Sequence, residues 1–173
     1  MNRTSLTLSL SWFGTVDATP PLLDVPGEEE DTIDHLSDIL LDPSENLFTR
    51  CRAMATLRNL CINESLTWSP DEIIKRIVQE LLQAHQSEST AFLRHQLILT
   101  LGQISHEEAI PYLLYQLQNE SEHEIVRAAA AEVLADFTYE SEVVVFMQGF
   151  KDDESRLVRE CVSLALAKVE ALQ

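Results

Sequence analysis

Four arginines, Arg50, Arg94, Arg127 and Arg159, recur 44, 33 and 32 residues apart, and this register constrains the fold more than any other feature of the chain. Each closes a tripeptide of one form: Phe48-Thr49-Arg50, Phe92-Leu93-Arg94, Ile125-Val126-Arg127 and Leu157-Val158-Arg159. Apolar residues follow at three- and four-residue spacing, the period of an amphipathic helix, and end at Leu57, Leu101, Leu134 and Leu166. Repetition at such a period marks helical hairpins that cannot cover their own apolar faces and stack on one another instead. The expected fold is all-α, a solenoid of about four helical hairpins with almost no strand candidates.

The hairpins are read as follows. Thr32 to Leu41 pairs with Leu47 to Leu60 across Asp42-Pro43-Ser44-Glu45-Asn46, where proline stops one helix and the polar residues turn the chain. Ser69-Pro70-Asp71-Glu72 opens the second pair, with Ser69 as N-cap, Pro70 at the first helical position and acids facing the positive helix end. That helix runs to about His85, and Ala91 to Ile104 is its partner. Glu107 to Asn119 pairs with Glu124 to Phe137, and Ser141 to Lys151 with Ser155 to Leu172. The longer first interval is absorbed by an insertion from Cys61 to Thr67. Residues 1–31 read as a flexible tail and linker, rich in Pro20, Pro21, Pro26 and the acidic run Glu28 to Asp31, and residues 32–173 as the repeat domain.

Charge narrows the partners. With 29 acidic against 12 basic side chains the net charge is -17, which repels phosphate backbones and anionic bilayers, so neither nucleic acid nor membrane is expected as a partner. No apolar run approaches the length needed to span a bilayer. Cys51, Cys61 and Cys161 form no C-x-x-C pair, which argues against zinc or a disulfide framework and for a reducing, cytoplasmic setting. The opening MNRTSLTLSLSWFG has a faint import-signal look, but is read as an ordinary tail.

Three ordered stretches carry a resemblance. They are Leu41-Asp42-Pro43 with Arg50-Cys51-Arg52-Ala53 and Thr56-Leu57-Arg58; Leu93-Arg94-His95-Gln96 with Leu101-Gly102-Gln103; and Ala109-Ile110-Pro111 with Val126-Arg127 and Ala131-Glu132-Val133-Leu134. Over roughly Thr32 to Leu172 the chain resembles the N-terminal half of the deoxyhypusine hydroxylase family, which is built of HEAT-like hairpins in two halves. The resemblance implies a di-iron site between the halves that activates dioxygen and hydroxylates deoxyhypusine on a translation factor. It also implies ligands in His-Glu dipeptides near the starts of second helices, where imidazole donates nitrogen and carboxylate supplies charge-neutralising oxygen. Here the first such position reads His95-Gln96 and the second Ala128-Ala129. His95 alone keeps a ligating side chain, as a relic.

Other candidates read more plainly. His106-Glu107, a literal His-Glu pair, precedes a first helix and reads as a cap. Cys161 reads as a small core residue beside Glu160, and the four arginines read as bridges to acids and helix ends within the stack. Trp68 stands open between a partner anchor and a cover for the insertion. No phosphate-cradling glycine loop or nucleophile elbow is present. The expected function is therefore a noncatalytic HEAT-repeat interaction protein, with no cofactor and with a protein partner on its concave face. The rival is an iron-dependent hydroxylase, or a subunit of one completed by a companion chain or a homodimer; a pigment-lyase class of HEAT protein shares the repeat but not the ordered motifs.

Overall fold

A computed structural model describes residues 29–62, 70–137 and 141–172. Eight α-helices lie among them: α1 (Glu29–Leu41), α2 (Leu47–Ile62), α3 (Pro70–Ser87), α4 (Ala91–Ile104), α5 (Ile110–Gln118), α6 (Glu124–Leu134), α7 (Ser141–Gln148) and α8 (Arg156–Leu172). Short 3-10 turns, Glu107–Ala109 and Ala135–Phe137, precede α5 and follow α6. Successive helices pair as hairpins, and α2, α4, α6 and α8 pack side by side as one layer. The all-α stack follows the arginine register, and no strand occurs among the described residues.

Local chemistry sets the boundaries. Asn46 opens α2 by accepting the Thr49 N–H on its Oδ1 at 2.9 Å, and His123 opens α6 by accepting the Ile125 N–H on its Nδ1 at 3.3 Å. Ser105 ends α4 in the left-handed region at φ 55°, a conformation that terminates helices. The acidic run read as linker is corrected in part: Glu29, Glu30 and Asp31 form the first turn of α1. Residues 1–28, Ser69, Trp68 and the rest of the insertion past Ile62 lie outside the described residues.

One continuous core fills the space between layers. Leu57, Leu101 and Leu134 are wholly buried and Leu166 nearly so, as their place at the ends of the second-helix apolar runs requires. Ala128 to Ala131 are all buried, and these small side chains let α6 sit close to both neighbours. Gly102 of α4 serves the same approach: a Cβ there would lie 2.6 Å from Cγ2 of Val133.

Candidate functional site

The arginines grip in two directions. Arg50 Nε donates to the Leu40 carbonyl at 2.9 Å, and its Nη2 donates to Glu88 Oε2 at 2.6 Å. Arg94 Nη1 donates to the Glu88 carbonyl at 3.0 Å, while its Nε and Nη2 fork onto both Glu122 oxygens at 2.9 and 2.7 Å. Arg127 Nε donates to the Leu117 carbonyl at 3.0 Å and its two terminal nitrogens fork onto both Asp153 oxygens. Each guanidinium thus closes its own hairpin and reaches the acid in the turn of the next. The acids also accept backbone N–H groups, Glu88 from Thr90, Glu122 from His123 and Asp153 from Ser155.

This ladder is largely dry. The side chains of Arg127 and Asp153 are each 8% exposed. Burial opposes the charge on Glu88, Glu122 and Asp153, yet the backbone N–H donors and the facing arginines win and hold all three carboxyls below their ordinary range. The ladder is structural, in line with the bridging role read from sequence, and it fixes the register in which second helices present their surface.

The second helices also carry the positions matched to the family's ligands. His95, one residue past Arg94, is half-buried on α4, and burial lowers its pKa so that the ring is neutral at neutral pH. Its Nδ1 lies 3.2 Å from Gln96 Nε2, so an amide occupies one of the two ring nitrogens. Ala128 and Ala129 are buried methyl groups. One imidazole, one neutral amide and two methyls do not fit a pair of irons, which demand anionic oxygen to balance their charge. Among the described residues no group of three or more His, Cys, Asp or Glu side chains is placed to hold a metal ion.

The remaining candidates fall into place individually. His106 caps the 3-10 turn, its Nδ1 accepting the Glu108 N–H at 3.2 Å, and its Nε2 lies 3.3 Å from Asp71 Oδ1. Cys161 packs half-buried against the core, where burial raises its thiol pKa, and Glu160 pairs with Arg156 at the surface. Cys61, at the end of α2, is pushed by burial to about 12.

One polar cluster escaped the sequence reading. His85 follows Ile77 and Leu81 at four-residue spacing on the buried face of α3, and that spacing was the available signal. Its Nδ1 meets the Tyr112 hydroxyl at 2.9 Å, beside a groove of about 580 Å³ that Arg94, Gln116 and Glu122 also line. Among the described residues Nε2 of His85 and Oε1 of Gln116 are buried without a hydrogen-bond partner, and burial depresses the His85 pKa to about 4.

With this geometry in hand, comparison with known proteins is direct. The sequence pattern of HEAT repeats matches residues 78–167. Deoxyhypusine hydroxylase from Chaetomium globosum is 35% identical over 164 residues, 94% of this chain and 45% of the relative. This chain is a HEAT-repeat protein, similar over nearly its whole length to part of the deoxyhypusine hydroxylases. The enzyme of Neurospora crassa is 36% identical over 94% of this chain and 48% of its own length, and that of Drosophila melanogaster 31% over 91% and 46%. The structure of human deoxyhypusine hydroxylase in complex with glycerol superposes with a TM-score of 0.66 at 33% identity, covering 84% of this chain and 46% of the human one. The chain spans about half the length of the curated relatives it matches. No helix among the described residues is long and apolar enough to cross a membrane.

Proposed function

We propose that this chain is a noncatalytic interaction protein built on the deoxyhypusine hydroxylase scaffold, binding a protein segment along the face formed by its second helices in the reducing cytoplasm. The observation that carries the reading is the donor set at the matched positions: His95 with Gln96, and Ala128 with Ala129, supply no carboxylate. Losing coordinated charge costs a metal site more than losing an outer-shell partner, which alone costs roughly 10- to 100-fold in affinity. The HEAT stack meanwhile keeps its core and its ladder, so the scaffold outlasts the chemistry. Its three described cysteines are free thiols, which suits a reducing compartment.

A second reading has one observation in its favour. His95 is retained, and the hydroxylases matched are about twice as long, so a companion polypeptide carrying His-Glu pairs would complete a site of which this chain supplies a part. Anaerobic purification followed by iron quantification, visible absorbance and an assay on a deoxyhypusine-bearing protein separates the two. The noncatalytic reading expects no stoichiometric iron and no turnover; two irons per purified chain would overturn it.

A further inference from the structure

The ladder has an unmatched residue at each end. Arg159 keeps the local half of the grip, its Nη1 donating to the carbonyls of Asp153 and Glu154 at 2.5 and 3.0 Å, as Arg94 does to Glu88. Among the described residues no carboxylate forms an ion pair with it, although Arg50, Arg94 and Arg127 each have one.

The opposite end holds the complementary group. Asp42 Oδ1 accepts from the N–H and hydroxyl of Ser44 at 2.8 and 2.7 Å, as Asn119 Oδ1 accepts from Ser121 at 3.2 and 2.6 Å. Asn46 and His123 cap the helices that follow, and Arg50 and Arg127 each reach back ten residues to a leucine carbonyl. The two turns share one register, and in it Glu45 stands where Glu122 stands. Glu122 takes Arg94. Glu45 is exposed, and its side chain makes no hydrogen bond or ion pair among the described residues.

Both end hairpins among the described residues expose apolar side chains, where a capping repeat carries a polar outer face. Leu164 of α8, five residues past Arg159, is 67% exposed; at the same place after the other arginines Ala55 is buried, Leu99 half-buried and Glu132, a polar residue, exposed. Val145 of α7 is 68% exposed, and with Phe146 it lines a shallow hollow of about 320 Å³. Beside Glu45, Leu47 and Phe48 are exposed as well.

We propose that the α7–α8 hairpin of one copy stacks on the α1–α2 hairpin of a second copy, with Arg159 taking Glu45 as Arg94 takes Glu122. The occupant is a second copy because both members of the pair, in matching register, and both apolar faces are present on this one chain. Such an interface is head-to-tail, so it extends into short chains of subunits unless the rotation closes a ring. The net charge of -17 opposes the approach of copies, so association requires enough salt to screen it, about 0.15 M, where the Debye length is about 8 Å.

Sedimentation velocity of the 173-residue chain over a concentration series at that ionic strength tests the proposal. Average mass rises with concentration and passes that of a dimer. R159E and E45R each weaken association by about tenfold or more, the loss expected for one charge-assisted pair. E45R alters an exposed, unpaired side chain and so leaves the circular dichroism and thermal midpoint unchanged. An equimolar mixture of R159E and E45R associates again, because Arg159 of one variant meets Glu45 of the other. A mass independent of concentration, an E45R variant that associates like the parent, or a mixture that stays monomeric overturns the proposal.

Discussion

Replacing Arg127 with alanine removes three hydrogen bonds at once: Nε to the Leu117 carbonyl and the fork onto both Asp153 oxygens. Both side chains are 8% exposed, so the Asp153 carboxylate stays behind largely desolvated, without its cation and still accepting the Ser155 N–H. Breaking a buried pair on one side costs about 3–5 kcal/mol, most of it the desolvation of the abandoned charge. Against a typical domain stability of roughly 5–15 kcal/mol this is about a fifth or more of the total. For a chain of this size it corresponds to a fall of roughly 6–20 °C in thermal midpoint. Urea unfolding followed by circular dichroism, with a common slope for variant and parent, reads the loss. Two controls locate its origin. Removing both partners with R127L and D153L together costs less than R127A alone, because no charge is stranded. Arg156→Ala, which touches only the exposed Arg156–Glu160 pair, leaves the midpoint unmoved. A loss under about 1 kcal/mol for R127A, the range of surface pairs, would refute the picture of a desolvated ladder.

His85 binds its proton near 6.5 when free and near 4 when buried, so in that interval the unfolded chain holds more protons and stability falls as pH falls, by about 3 kcal/mol in all. Above pH 6.5 its contribution is constant; urea midpoints measured across the interval flatten in His85→Gln, which keeps the separate loss at lower pH from Glu88, Glu122 and Asp153. Gly102→Ala gains about 0.5–1 kcal/mol in helix propensity but meets Val133 Cγ2 at 2.6 Å, and overpacking of about 1–3 kcal/mol prevails; calorimetry shows a net loss that Val133→Ala partly restores. Cys61, its thiol pushed to about 12, alkylates more slowly in the folded protein than the same thiol after denaturation, as timed mass spectrometry reads.

Much of this protein was legible in local sequence because the forces involved act within one or two turns of chain. The arginine register gave the number and order of hairpins, and the apolar spacing gave the buried leucines Leu57, Leu101 and Leu134. Asp42 to Asn46 and His106 announced turn and cap through side-chain oxygens and nitrogens that satisfy backbone N–H groups two or three residues away. The vacant ligand register at Gln96, Ala128 and Ala129 needed only the motif and the chemistry of amides and methyls.

Tertiary structure decided what depends on neighbours distant in sequence. With 29 acids in the chain, no local signal selects Glu88, Glu122 and Asp153 as the arginines' partners; stacking does, by bringing each turn over the preceding guanidinium. The same stacking buries His85 against Tyr112 across 27 positions and presses Gly102 onto Val133. Helix period and capping are intrinsic to a segment, whereas the pairing of the ladder and burial belong to the packed array, and only there do Arg50, Arg94 and Arg127 acquire their carboxylates.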